Sequence, residues 1–205
     1  MIAIIDYGLG NLGSISNMLK VIGERSTITD RTEEIVSADG IILPGVGAFD
    51  AGMSMLEMYD LIPVIKDQAS LGKPILGICL GMQLLGNRSE EGSKSGLSLI
   101  PFECKRFRFK SSDQKIPHMG WDIVDFKCKH PILDNLSDKQ RYYFVHSYHA
   151  VCNDPSNILM TCEYGYEFTA AVVNRNIIGV QFHPEKSLDY GLALFENFVK
   201  LCKEC

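Results

Sequence analysis

The chain has no block of basic residues. Its 205 residues carry 20 Lys and Arg against 25 Asp and Glu, for a formal net charge of −5 at pH 7. That balance argues against a nucleic-acid groove or an anionic membrane surface as the target. Long apolar runs are missing too. The opening MIAIID reads as a strand and meets Asp6 at once, so it is neither a signal-peptide core nor a membrane span. A disulfide framework is also absent: the seven cysteines are an odd number without regular spacing. This fits a reducing cytoplasm. Cys202-x-x-Cys205 has no second pair at zinc spacing and reads as a helix end, so no metal site is expected. There is no linker, repeat or low-complexity tract, and residues 1–205 are expected to form one domain.

What is present centres on Lys73–Gly86, KPILGICLGMQLLG. Its first part reads as a short buried strand, and Met82-Gln83-Leu84-Leu85 reads as a helix capped by Gly86. Between them Cys79 lies in a G-x-C-x-G pattern, the thiol counterpart of a nucleophile elbow. Glycines at 77 and 81 suit a sharp strand-to-helix turn with no room for β-carbons beside the nucleophile. The alternative is a buried cysteine in an ordinary turn.

A second pattern competes with it. Gly8-x-Gly10-x-x-Gly13 follows the first strand and opens a helix whose face carries Ile15, Met18, Leu19 and Ile22. With Asp30 after a strand at Arg25–Thr29, this matches a dinucleotide fingerprint, although 205 residues leave little chain for a separate substrate domain. A plain tight turn is the commoner use of such glycines.

The strand Gly40–Leu43 runs into Pro44-Gly45-Val46-Gly47, where two glycines can expose backbone N–H groups to an oxyanion. Helices are expected around Asp50–Met58 and Leu61–Ser70, with Met53, Met55 and Met58 as core packing. Asn87–Gly96 reads as a polar surface loop. Strand-like pieces then appear from Glu103 and at Trp121–Val124, Tyr142–Val145, Ile158–Cys162, Phe168–Val173 and Ile177–Phe182, before a helix from Tyr190 to Lys203. The pattern predicts an α/β fold. A central, mostly parallel twisted sheet carries helices on both faces, with an antiparallel β extension in the second half.

Near the end, Gln181-Phe182-His183-Pro184-Glu185 places a histidine and a carboxylate two residues apart. If the segment is extended, both side chains point the same way, and Glu185 can orient His183. Cys79, His183 and Glu185 then have the parts of a triad for acyl transfer.

Together the motifs GICLGMQLL, PGVGAF, PHMGW, FVHSYHA, FTAAV and GVQFHPEKS resemble the glutamine amidotransferase subunits of imidazole glycerol phosphate synthases, class I (triad type) amidotransferases of histidine biosynthesis. The resemblance spans nearly the whole chain. It implies the class I glutamine amidotransferase fold, a glutaminase with catalytic Cys79, His183 and Glu185, and no cofactor. It implies an oxyanion hole at Gly45, Val46, Gly47 and Leu80, and a glutamine pocket at Gly47, Gln83, Ser147 and Tyr148. It also implies a (βα)8-barrel synthase partner in a heterodimer, met by Asn11, Trp121 and Tyr143, although Trp121 also suits a core aromatic. The glycine-rich turn would then face that partner and not a nucleotide. Two further readings are a paralogue serving a barrel that amidinates a surface-polysaccharide sugar, and a catalytically dead regulatory subunit.

Overall fold

Three apolar runs of the first half, each too short for a helix, become adjacent parallel strands, with the more polar Ser26–Thr29 at their edge. The computed structural model describes residues 1–110, 114–137 and 139–204, so Cys205 of the terminal C-x-x-C lies outside it. In chain order the first half contains β1 (Ile2–Ile5), α1 (Leu12–Val21), β2 (Ser26–Thr29), α2 (Thr32–Ser37), β3 (Gly40–Leu43), α3 (Phe49–Met58), α4 (Leu61–Ser70), β4 (Ile75–Ile78) and α5 (Leu80–Leu85). The second half contains β5 (Arg88–Ser89), β6 (Phe102–Arg106), β7 (His118–Phe126), β8 (Gln140–His146), β9 (Tyr148–Cys152), β10 (Ile158–Glu163), β11 (Glu167–Asn174), β12 (Ile177–Val180) and α6 (Leu188–Glu204).

The sheet runs in the order β2-β1-β3-β4-β12-β11-β10-β7-β8. Pairing is parallel from β2 to β12 and antiparallel from β12 to β8. A branch of β5, β6 and β9 joins β11 through Thr169 opposite Ala150. The last strand of the chain thus inserts beside β4 and puts the segment after it next to the elbow.

The parallel strands β1, β3, β4 and β12 are buried on both faces, which is why they read as unbroken apolar runs, whereas the edge strand β2 is more polar and partly exposed. Ile42, Leu76 and Ile78 pack with α1 and α6 residues such as Leu19 and Phe195, while Ile41, Leu43 and Ile75 pack with Phe49 and Ile65 from α3 and α4. Each such side chain, fully withdrawn from water, contributes ~1.5–3 kcal/mol.

Several local expectations change. Gly86 is not a left-handed cap, since it adopts φ −75° and ψ −174°. It is glycine because a β-carbon there would lie 2.6 Å from the Phe102 ring. Met53 is buried, but Met58 is 67% exposed at the end of α3 and belongs to the surface. The strand expected over Ile177–Phe182 pairs only to Val180. The helix α2 and the strand β9 are additions, both short and without a strong period.

The dinucleotide reading also fails on geometry. Gly10 adopts φ +115°, and a β-carbon on it would lie 2.9 Å from Pro44, so the turn is filled by the loop after β3. Gly13, which in a dinucleotide fold admits close helix–strand packing, has nothing within 4 Å of its would-be β-carbon.

Candidate active site

Cys79 sits between β4 and α5 at φ 53° and ψ −109°, a conformation rarely adopted by a side-chain-bearing residue. The neighbours make it possible. A β-carbon on Gly77 would lie 2.8 Å from the Gly81 carbonyl oxygen, and one on Gly81 would lie 1.9 Å from the Leu43 carbonyl oxygen. The elbow is therefore wedged against the end of β3. Gly45, next along that loop, is equally confined: its β-carbon would lie 2.7 Å from the Tyr7 hydroxyl and 2.8 Å from the Gly81 nitrogen. Tyr7, fully buried, donates its hydroxyl to the Pro44 carbonyl at 2.5 Å and pins the loop beside the thiol. Gly47 follows at φ +110°.

A cavity of about 310 Å³ opens above Cys79. It brings together Val46, Gly47, Cys79, Leu80, Gln83, Ser147, Tyr148 and His183, all expected from the sequence. Gly45 and Glu185 stand behind this lining. His183 Nδ1 and Glu185 Oε1 are 2.8 Å apart, with side chains 2% and 1% exposed. The route differs from the expected one: Pro184–Lys186 forms a single turn of 3-10 helix, and that turn carries Glu185 back to the ring. Ser187 donates its hydroxyl to the His183 carbonyl at 2.6 Å and locks the turn. Burial alone lowers the His183 pKa, but negative charge on the Cys79 sulfur and on the Glu185 carboxylate outweighs it and pushes the value up to about 10. The His183 Nε2 atom is buried and makes no hydrogen bond of good geometry, so the thiol acts on it across a looser contact.

The family described as glutamine amidotransferase class-I matches residues 3–202. The chain belongs to this family. It is 50% identical over 202 residues to a protein of Pseudomonas aeruginosa named "Imidazole glycerol phosphate synthase subunit HisH 2", covering 98% of this chain and 100% of that one. A protein of the same name from Methanococcus maripaludis is 54% identical over 202 residues, covering 98% and 99%. A solved glutamine amidotransferase superposes with a TM-score of 0.77 at 15% identity, covering 99% of this chain and 100% of that one, which speaks for the fold alone.

Three residues of this amidotransferase site escaped the sequence reading. Glu91 lies within the polar loop after α5, yet it lines the cavity and accepts the Phe49 N–H at 2.7 Å. The loop is folded inward because Asp50 accepts the N–H groups of Ser93 and Lys94 at 2.9–3.1 Å. Gln181, fully buried, accepts from Gln83 Nε2 at 3.1 Å and donates to Cys79 Sγ at 3.8 Å. Gln83 also donates to the Tyr148 carbonyl at 3.4 Å, so it reaches the thiol through Gln181 and not directly. His146 lines the cavity beside Ser147.

The three residues expected at a partner interface lie apart from the lining. Trp121 and Tyr143, opposite each other on β7 and β8, touch edge to face with centroids 6.2 Å apart, and both are half-buried. The Tyr143 carbonyl accepts the His183 N–H at 2.9 Å, tying this pair to the triad. Asn11, half-buried, precedes α1 beside Gly10, the residue packed on Pro44. Among the described residues no helix is long and apolar enough to cross a membrane.

Proposed function

We propose that this chain, acting in the cytoplasm as a single amidotransferase domain, hydrolyses glutamine and passes the ammonia to a separate (βα)8-barrel synthase. That partner would make imidazole glycerol phosphate and AICAR in histidine biosynthesis. The observation that carries the chemistry is the buried His183–Glu185 pair facing Cys79 on one cavity wall. Full-length identity of about half to chains named for imidazole glycerol phosphate synthase supports the pathway.

The Cys79 thiol passes its proton to His183 Nε2 and its sulfur attacks the side-chain amide carbon, and the resulting imidazolium stabilises the negative charge that builds nearby. The tetrahedral oxyanion is held by the Leu80 N–H and by the backbone of Gly45–Gly47, worth ~10²–10³ in rate per donor. His183 Nε2 protonates the departing ammonia, and Glu185 keeps Nδ1 protonated and the ring oriented. Water then cleaves the glutamyl thioester to glutamate and returns the proton to sulfur. Gln83 has both amide hydrogens engaged, so it offers Oε1 to the substrate α-ammonium, with Glu91 as the negative partner. Asn11, Trp121 and Tyr143 would meet the barrel.

A second reading keeps the chemistry and changes the acceptor, to a sugar amidinated by another barrel. The residues lining the cavity serve the release of ammonia and do not touch its acceptor, so they suit either barrel. The test is glutamate release by the chain alone, with the histidine-pathway barrel subunit, and with that barrel plus its ligand. Stimulation that needs barrel and ligand together supports the first reading. Alkylation of Cys79 by a glutamine analogue without any stimulation moves the assignment to another barrel. Cys79→Ala should lower turnover by ~10⁴ or more; comparable glutamate release from that variant refutes the mechanism.

A further inference from the structure

One wall of the cavity is held by buried hydrogen bonds that the reaction does not use. His118 and His146 stand directly opposite each other on β7 and β8, and both are buried. His146 Nδ1 is 2.7 Å from the Tyr148 carbonyl oxygen, and its Nε2 is 3.0 Å from His118 Nδ1. His118 Nε2 is 2.7 Å from Asp122 Oδ2, on a side chain 40% exposed. Four residues of extended strand span ~13 Å, too far for these two side chains to meet. Gly120 stands between them at φ +146°, a backbone conformation outside that of a regular strand and open to glycine.

The partners fix the protons. A carbonyl oxygen only accepts, so His146 Nδ1 carries hydrogen. His146 is held neutral by burial, with a pKa well below the ordinary value, so its Nε2 accepts. His118 Nδ1 therefore donates. A carboxylate also only accepts, so the contact at His118 Nε2 requires one more proton, and the pair closes as imidazolium against carboxylate. Burial lowers the His118 pKa more than Asp122 raises it, so this proton is held only on the acid side of the ordinary histidine range. Among the described residues the other titratable groups facing the chain are Tyr164, stacked on His118 at 4.0 Å, Cys162, near Asp122 on the strand paired with β7, and His149 and His183, whose charges oppose a charge on His146.

We propose that Asp122, His118 and His146 are positioning residues that hold the Ser147–Tyr148 wall for glutamine, through one proton shared between His118 and Asp122. The Tyr148 carbonyl is the point of action, because it accepts from both His146 and Gln83. The inference rests on the glutamine reading of the cavity. It also makes a chemical distinction. Asp122→Ala removes the outer partner, whereas Asp122→Asn supplies an amide N–H to an unprotonated Nε2 and closes the chain without the extra proton.

The experiment measures KM and kcat for glutamine between pH 5.5 and 8.5 on the complex with saturating barrel subunit. At pH 5.5 Asp122→Ala should raise KM about threefold to tenfold, the worth of one hydrogen bond, with a smaller change in kcat. Wild-type KM should rise toward the Ala variant with pH, and Asp122→Asn should stay low throughout. An Ala variant with wild-type KM at every pH, or an Asn variant no better than Ala, overturns the proposal. Nitrogen-15 spectra of the imidazoles in the free chain decide it without turnover: His146 should be the Nδ1–H tautomer, and an Nε2–H tautomer refutes the chain. If wild type fails to hydrolyse glutamine, the functional reading falls while the tautomer result still stands or falls alone.

Discussion

The two halves of the sheet supply different kinds of part to one cavity. The parallel half supplies backbone: the elbow at Cys79, the loop Pro44–Gly47 and the glycines that let them touch. The antiparallel half supplies side chains and carbonyls in register, with His146, Ser147 and Tyr148 brought in by β8 and β9. His183 follows β12, the strand where pairing changes from parallel to antiparallel. Chemistry is thus anchored where both faces of the sheet are packed and nothing can shift. Substrate recognition is shared between the two: Gln83 and Glu91 follow the elbow, while Ser147 and Tyr148 come from a wall that can be adjusted without disturbing it.

The sharpest way to break this division is to add one methyl group in the parallel half. Gly81→Ala puts carbon 1.9 Å from the Leu43 carbonyl oxygen, backbone against backbone. The elbow and β3 must separate, at a cost of about 3 kcal/mol or more, and glutaminase activity should be lost with it. Thermal unfolding and glutamate release measure both. An Ala variant with wild-type Tm would mean that the two segments are not wedged.

Glu185→Gln tests the junction, with a smaller effect. The variant keeps the turn and removes the charge that holds the imidazolium, so kcat should fall by ~10²–10⁴. Stability should respond to pH as well. Burial lowers the His183 pKa, but negative charge on the Cys79 sulfur and on Glu185 pushes it up to about 10 in the folded chain. A raised pKa stabilises the fold fully below the unfolded value near 6.5, and the benefit disappears as pH rises through about 10. Wild-type Tm should therefore fall across that interval, and more steeply than that of the Gln variant. Parallel Tm curves for the two proteins would remove Glu185 from the account.

This contrast also explains what the sequence could show. Gly77, Cys79 and Gly81 are legible because a steric demand on backbone leaves a local pattern of glycines. The central parallel strands β1, β3, β4 and β12 are legible because burial on two faces leaves no polar interruption. Glu185 was identified through the wrong geometry: an extended segment and a 3-10 turn both bring positions two apart to one ring, and spacing alone does not separate them. Glu91 was hidden in a stretch whose polarity says surface, because Asp50, 41 residues earlier, is what folds it inward. His118 and His146 form a pair only once the register of β7 and β8 is known. Gln181 sits within a quoted motif, but its role depends on Gln83, nearly a hundred residues away.

The smallest effect sharpens the same lesson from the other side. Gly13 belongs to a pattern that reads as a nucleotide-binding turn, yet no atom limits it: nothing lies within 4 Å of its would-be β-carbon, and it is inside α1. Gly8 and Gly10 hold positive φ, but Gly13 does not. Gly13→Ala should therefore raise stability by about 0.5–1 kcal/mol, the difference in helix propensity, with glutaminase activity of the free chain unaltered. If the variant is destabilised instead, close packing at this turn has been missed, and the glycine was selected for its missing side chain after all. A motif made of three glycines would then contain three constraints. On the geometry it contains two, Gly8 set by backbone conformation and Gly10 by backbone conformation and the approach of Pro44, and the third is a coincidence of composition.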